Sequence, residues 1–266
     1  MKTALTLALA VAASSAMPAL AEVPDDVARI EVLPGWRDGN GRHYGALDIR
    51  LAPGWKTYWR APGEGGIPPL FNWSGSRNLG DLEVSYPVPS VLVQNGMRSF
   101  GYEDRVIFPF TATPGQPGGD IALTGQIEIG VCYDICIPVS VSVTELLPAD
   151  ATRPDPRIRA AFEDRPATAD EAGLDPMGCR IEPIADGMRV TATLSLVPMG
   201  RDEVAVMEHP DPTIWVSEAT LSRDGNRIDV MADMVPPTAK PFLLARDSVR
   251  VTVLSGGAAV EITGCR

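Results

Sequence analysis

Histidine is scarce in this sequence, and its scarcity argues against hydrolase chemistry that needs a catalytic histidine. The 266 residues contain two histidines, His43 and His209, one in each half of the chain. A Ser-His-Asp arrangement would therefore have to be assembled across the two halves. The sequence also has neither the nucleophile-elbow motif of α/β-hydrolases nor the two-histidine helix motif of zinc peptidases. We therefore expect no hydrolase chemistry.

Cysteine is also sparse, and its spacing argues against a zinc site. The chain has four cysteines, Cys132, Cys136, Cys179 and Cys265. A closed zinc site needs four ligands, and Cys132 and Cys136 have no second cysteine pair nearby. We predict that the protein holds no metal ion and no cofactor.

Long hydrophobic runs are missing after the first 21 residues, so we expect no membrane-embedded segment there. Residues 1–21 combine Lys2, an apolar stretch over residues 5–13 and small residues at Ala19 and Ala21. This pattern is typical of a secretory signal peptide that is cleaved after Ala21. We therefore predict an exported, periplasmic protein, and in that oxidising compartment the four cysteines are expected to form two disulfides.

Basic residues are outnumbered by acidic ones. The sequence has 23 Lys and Arg against 34 Asp and Glu, which gives a formal net charge of −11. Nucleic acids and anionic membrane surfaces attract basic proteins. We therefore expect neither as a partner.

Helix signals are nearly absent, whereas apolar and polar residues alternate repeatedly. Over residues 188–196, for example, every second residue is apolar, which predicts a strand with one buried face. We predict an all-β protein of two tandem immunoglobulin-like antiparallel β-sandwiches, residues 22–148 and 173–266. The linker between them, residues 149–172, is expected to carry one short helix at 157–164.

One long connection stands out within the first predicted sandwich. Residues 87–104 are predicted to link two strands, and they carry Met97, Phe100 and Tyr102. Connecting segments generally lie on the surface, so apolar and aromatic side chains are unusual there.

The cysteines divide into a close pair and a distant pair. Cys132 and Cys136 are separated by three residues, at the junction of two alternating stretches. In the chain-entropy model, a bridge that closes about five residues contributes about 2 kcal/mol of stability, and one that closes about 87 residues contributes about 4.6 kcal/mol. We therefore assign the structural disulfide to Cys179 and Cys265 and treat Cys132 and Cys136 as a candidate redox pair. A small structural disulfide remains the alternative for the close pair.

Several motifs follow one another in a characteristic order over residues 28–147. They are GWKTYWR at residues 54–60, APGEGGIPP at 61–69, YP at 86–87, FGYE at 100–103 and CYDICIP at 132–138. No single motif is specific, but the ordered set resembles the periplasmic N-terminal domain of the DsbD family of thiol:disulfide interchange proteins. It is also similar to the related copper-suppressor (ScsB) group.

The resemblance implies an immunoglobulin-like domain that carries electrons as a protein-disulfide reductase component. By this resemblance, Cys136 would form the mixed disulfide with partner proteins and Cys132 would resolve it. Phe100 and Tyr102 would lie on a loop that shields the disulfide. The implied donor is a thioredoxin-like redox protein or a membrane electron-transfer protein, which we expect to be a separate protein. The implied acceptors are periplasmic proteins that contain disulfides.

Two other functions stay open at the level of sequence. Met97 and Cys136 offer soft sulfur ligands that could together bind Cu(I), as in a copper-binding or copper-tolerance protein. Alternatively, the chain is a non-catalytic β-sandwich interaction module with two structural disulfides.

Overall fold

The computed structural model describes residues 27–94 and 96–266. The expected signal peptide, residues 1–21, and its cleavage point after Ala21 lie outside these ranges. None of the helices in the described ranges is long and apolar enough to cross a lipid bilayer.

The first half of the described chain forms two packed antiparallel sheets. Its strands are β1 (Ala28–Arg37), β2 (His43–Leu51), β3 (Lys56–Gly63), β4 (Leu70–Asn72), β5 (Leu79–Val84), β6 (Ser90–Gln94), β7 (Met97–Glu103), β8 (Arg105–Pro114), β9 (Ile121–Cys132) and β10 (Cys136–Leu147). One sheet has the order β1-β2-β8-β5, and the other has the order β10-β9-β3-β7-β6. Strand β4 also pairs with β9.

The alternating sequence of β9 explains why one of its faces is buried in the core. Ile127, Ile129 and Val131 are buried with Trp59 and Phe108 between the two sheets. Successive side chains of a strand point to opposite faces, so the residues between them face away from this core. The register with β10 runs without a break from Ile121 opposite Leu147 to Cys132 opposite Cys136.

The second half of the described chain also forms two sheets, which are antiparallel except for one short parallel strand pair. Its elements are α1 (Pro156–Glu163), β11 (Ala167–Thr168), β12 (Gly178–Pro183), β13 (Met188–Ser195), β14 (Val204–Glu208), β15 (Trp215–Val216), β16 (Thr220–Asp224), β17 (Arg227–Val235), a 3-10 turn (Arg246–Ser248), β18 (Arg250–Ser255) and β19 (Ala258–Thr263). The sheets are β11-β19-β18-β14 and β12-β13-β17-β15, with β16 also paired to β17. The prediction of an all-β, immunoglobulin-like protein is confirmed.

The segment predicted as a linker is folded onto both sandwiches. The Asp155 side chain accepts a hydrogen bond from the backbone N–H of Arg157 and caps α1. Ile158 of this helix is buried against Leu33 and Ala46 of the first sandwich. A few residues later, β11 pairs with β19 of the second sandwich.

The two sandwiches also share apolar packing. Val206 of β14, Leu254 of β18 and Ala259 of β19 are buried in the cluster that contains Trp59 and Phe100 of the first sandwich. The second sandwich therefore completes part of the core of the first.

The assignment of residues 87–104 to a connection is wrong. Most of this segment forms the hairpin of β6 and β7, in which Val91 lies opposite Phe100. Gly96, with φ of +81°, makes the turn between the two strands. The prolines at positions 87 and 89 obscured the alternation in the sequence.

A buried histidine in the first sandwich predicts a pH-dependent stability. His43 is fully buried on β2, with its Nε2 atom 2.5 Å from the carbonyl oxygen of Pro34. Burial lowers the pKa of His43 below its ordinary value of 6.5. The unfolded chain then binds the proton at a higher pH than the folded chain, so the free energy of unfolding should fall as the pH drops below 6.5.

Denaturant unfolding between pH 7 and pH 5 measures this dependence. We expect His43→Gln to remove most of the slope, because glutamine does not titrate. His209→Gln is the matched control and should keep the slope. A wild-type slope in His43→Gln would show that other groups cause it.

Candidate functional site

The two close cysteines face each other across the end of the β9–β10 hairpin. Cys132 is the last residue of β9 and Cys136 the first of β10, and they occupy opposite positions in the register. They form a disulfide with a Cα–Cα distance of 4.1 Å. Cys132 is only 2% exposed, whereas Cys136 is exposed. A sulfur nucleophile that arrives from solvent therefore meets Cys136.

A tyrosine hydroxyl lies against the exposed cysteine. The Oη atom of Tyr58, on β3, is 3.4 Å from Sγ of Cys136. The disulfide sulfur has no proton, so the phenol is the donor in this contact. Tyr58 is 2% exposed, and burial raises the pKa of its phenol above 10.0. The hydroxyl therefore keeps its proton at neutral pH.

The loop between β3 and β4 forms one wall of the site. Both strands pair with β9, so the chain between them must leave the sheet and return to it. The carbonyl oxygen of Gly65 in this loop lies 3.9 Å from Sγ of Cys136. Ile67 packs directly on Gly130, where an added Cβ would come within 2.5 Å of the Ile67 Cβ. Gly130 thus allows the loop to lie close to the cysteine hairpin.

A lysine and a glutamine connect the cysteine hairpin to its neighbours. Lys56 lies opposite Cys132 on one side and opposite Glu103 on the other. Its Nζ atom donates to the side-chain oxygen of Gln94, at the end of β6. The Gln94 amide donates in turn to the carbonyl oxygen of Tyr133, at 2.8 Å. A positive charge and the β6 end therefore border the buried cysteine.

Apolar side chains lie near the exposed Cys136. Within the turn that joins the cysteines, Tyr133 is 52% exposed and Ile135 is 70% exposed. Met97 is half exposed, and its side chain reaches Gly65. The Tyr133 ring packs beside Trp55, with 6.0 Å between the ring centroids. We call Ile67, Met97, Tyr133 and Ile135 the apolar rim.

The structure does not place Phe100 and Tyr102 over the sulfurs. Both residues lie on β7, with rings in the core that also contains Val131. Since side chains alternate along a strand, Val131 and Cys132 face opposite sides of the sheet. The Tyr102 hydroxyl donates to the carbonyl oxygen of Pro87 at 2.8 Å, and burial raises its pKa well above 10.0. The contacts to Sγ of Cys136 come instead from Tyr58 and Gly65.

Tyr58, Lys56 and Gln94 were not identified from the sequence. The alternation within GWKTYWR was the available signal for the first two, because it puts Lys56 and Tyr58 on the same face of β3. No local signal marks Gln94.

The distant cysteines form the second disulfide. Cys179 of β12 is bonded to Cys265, which follows β19, with a Cα–Cα distance of 5.5 Å. The backbone N–H of Cys179 donates to the carbonyl oxygen of Arg266, and that of Cys265 to Arg246. This bond joins the beginning of the second sandwich to its end.

Metal ligands are not clustered in the part of the chain that the structure describes. No group of three or more His, Cys, Asp and Glu side chains is placed there to hold a metal ion. The soft-ligand pair considered from the sequence, Met97 and Cys136, borders the same loop residue, Gly65.

Comparisons with known proteins agree with this architecture. Residues 27–148 match the family model described as thiol:disulfide interchange protein DsbD, N-terminal. The fold is similar to the crystal structure of the N-terminal periplasmic domain of ScsB from Proteus mirabilis, with a TM-score of 0.67 and 21% sequence identity. That similarity covers 94% of this chain and 95% of the other, so it includes both sandwiches. No curated protein sequence matches the chain.

Proposed function

We propose that this protein exchanges disulfides with other proteins through Cys132 and Cys136. The premise is that residues 27–148 match the DsbD N-terminal family. The observation that carries the proposal is the asymmetry of the Cys132–Cys136 bond. Residue Cys136 is exposed at the end of a hairpin, whereas Cys132 is buried. Thiol–disulfide exchange requires access to one sulfur, and this geometry offers Cys136.

Reduction of the pair proceeds in two balanced steps. A thiolate of a donor dithiol attacks Sγ of Cys136, the bond to Cys132 breaks, and the Cys132 sulfur leaves with the electron pair. The second donor thiolate then attacks the donor sulfur of the mixed disulfide and releases Cys136. The donor ends as a disulfide, and Cys132 and Cys136 end as thiols after taking up two protons.

The reduced pair passes its electrons on by the same chemistry. The Cys136 thiolate attacks one sulfur of an acceptor disulfide, and the other acceptor sulfur leaves as a thiolate. The Cys132 thiolate then attacks Cys136 and releases the acceptor in its reduced form. A cation beside a cysteine stabilises its thiolate, so the position of Lys56 opposite Cys132 supports Cys132 as the leaving and resolving sulfur.

The apolar rim supports protein partners rather than small molecules. The rim presents four exposed apolar side chains near Cys136, those of Ile67, Met97, Tyr133 and Ile135. Aromatic residues and methionine are enriched in protein–protein interfaces. We propose a thioredoxin-like redox protein or a membrane electron-transfer protein as the donor. Periplasmic disulfide-containing proteins are the proposed acceptors, with the periplasm as the compartment.

Selective reduction tests this function. The oxidised full chain is incubated with a reduced thioredoxin, quenched with an alkylating agent and mapped by mass spectrometry. We expect Cys132 and Cys136 to be labelled before any label appears on Cys179 or Cys265, because Cys136 is exposed whereas Cys179 and Cys265 are each partly buried. If both bonds resist reduction, or open at the same rate, the chain is instead an interaction module with two structural disulfides.

A further inference from the structure

A single arginine of the first sandwich is held by two carboxylates of the second. Arg60 of β3 donates to Glu208 of β14 through Nε at 2.9 Å and through Nη2 at 3.0 Å. The same Nη2 donates to Glu261 of β19. The three side chains are between 14% and 25% exposed. Paired hydrogen bonds between a guanidinium and a carboxylate fix geometry as well as charge.

This ion cluster lies where the backbone pairing of β3 is weakest. Strand β3 pairs with β9 at Lys56 and Thr57 alone. Its register with β7 is interrupted between Tyr58 and Gly63. Arg60 lies inside the interrupted part. Its side-chain contacts therefore hold this part of β3 in place where backbone hydrogen bonds to β7 are missing.

The same part of β3 carries the residue that contacts the reactive sulfur. Tyr58 precedes Arg60 by two residues in the same strand, and between them the ring of Trp59 packs under the Arg60 guanidinium, 4.2 Å from its Cζ atom to the ring centroid. The Tyr58 hydroxyl lies 3.4 Å from Sγ of Cys136. A displacement of β3 at Arg60 would therefore move this hydroxyl relative to the sulfur.

We propose that the second sandwich positions Tyr58 against Cys136 by holding Arg60, so that Arg60 is a positioning residue for thiol–disulfide exchange. This inference rests on the proposed function of the cysteine pair. In the reduced protein the Tyr58 hydroxyl donates to the Cys136 thiolate and stabilises its negative charge. The thiolate then attacks a sulfur or carbon electrophile, its lone pair forms the new bond, and the leaving group departs with its own electron pair. Tyr58 keeps its proton throughout.

Alkylation of Cys136 measures this effect without any protein partner. In the full chain with Cys132→Ala and an intact Cys179–Cys265 bond, Cys136 is the one cysteine free to react with iodoacetamide at pH 7. We expect Tyr58→Phe and Arg60→Gln each to slow alkylation about three- to tenfold. Loss of a strong hydrogen bond to the charged sulfur lowers the fraction of Cys136 that is thiolate at pH 7. The slowing is limited to this range because a less stabilised thiolate is a better nucleophile. Failure of the proposed partner exchange would not alter this readout.

Two further variants separate positioning from simple electrostatics. Glu208→Gln replaces the carboxylate that accepts two hydrogen bonds from Arg60 by a neutral amide with one acceptor oxygen. This weakens the same contact from the other side, so we expect it also to slow alkylation. Loss of a negative charge would by itself favour the thiolate and speed the reaction. In a Tyr58→Phe background, Arg60→Gln should cause no further slowing, because the group it positions is gone.

A matched control keeps the test specific. Arg223 and Glu203 form an ion pair of similar burial within the second sandwich, so Arg223→Gln should leave the alkylation rate unchanged. An unchanged rate in Arg60→Gln, a faster rate in Glu208→Gln, or slowing that persists in the Tyr58→Phe background would each overturn the proposal. If Arg60→Gln does not fold, Glu208→Gln alone decides the outcome.

Discussion

We expect Cys136→Ala to abolish the mixed disulfide with a thioredoxin-like dithiol protein, whereas Cys132→Ala should make that adduct accumulate. The physical reason is access. Cys136 is exposed at the start of β10, while Cys132 is 2% exposed behind it. When Cys132 is removed, the bond between Cys136 and a partner cannot be resolved from within the chain.

A partner variant that has only its attacking cysteine makes the adduct stable enough to measure. The free cysteine of each variant is first converted to a mixed disulfide with a small aromatic thiol. The variant is then mixed with the partner, whose thiolate displaces the small thiol and forms the adduct. The adduct is then quantified on non-reducing gels and mapped by mass spectrometry. Cys179→Ala with Cys265→Ala is the control and should leave the adduct of Cys132→Ala unchanged. An adduct at Cys132 in the Cys136→Ala protein would reverse the assigned roles.

The largest loss of stability is expected from removal of the other disulfide. The Cys179–Cys265 bond joins residues that are 86 positions apart. In the chain-entropy model, its removal lowers the free energy of unfolding of the second sandwich by about 4.6 kcal/mol. For a domain of this size, such a loss corresponds to a decrease in melting temperature of roughly 20 °C.

Calorimetry of the oxidised full chain tests this expectation with an internal comparison. The variant with Cys179→Ala and Cys265→Ala should show the large decrease. The variant with Cys132→Ala and Cys136→Ala lacks the bond that closes a much shorter loop in the wild-type protein. Its free energy of unfolding should therefore fall by only about 2 kcal/mol. Equal decreases in the two variants would contradict the division into a structural bond and a redox-active bond.

Local sequence patterns predict the strands well wherever alternation is long and uninterrupted. Strands β9 and β10 show this, because their twelve residue pairs follow directly from two alternating stretches around the cysteines. The turn between those stretches places Cys132 opposite Cys136. The helix α1 was predicted to within one residue of its observed bounds, since its cap and its short amphipathic pattern are local features.

Features that depend on distant residues could not be predicted. The hairpin of β6 and β7 pairs with β3 through Ser99 and residues 101–103 of β7, and no neighbour in sequence reveals that contact. This pairing decides which face of the sheet carries Phe100 and Tyr102. Both side chains lie in the core and not over the sulfurs, where a lid was expected. The contact between Arg60 and Glu208 joins residues 148 positions apart. A local pattern contains no information about such a partner.

The shared packing of the sandwiches also bears on what counts as a separable unit. The family match ends at residue 148. Three residues beyond that point, Val206, Leu254 and Ala259, are nevertheless buried in the apolar cluster of the first sandwich. A fragment that stopped at residue 148 would open this seam to water and would favour aggregation. The boundary found by sequence comparison is therefore not a boundary of packing, and recombination at that point would separate residues that are buried together.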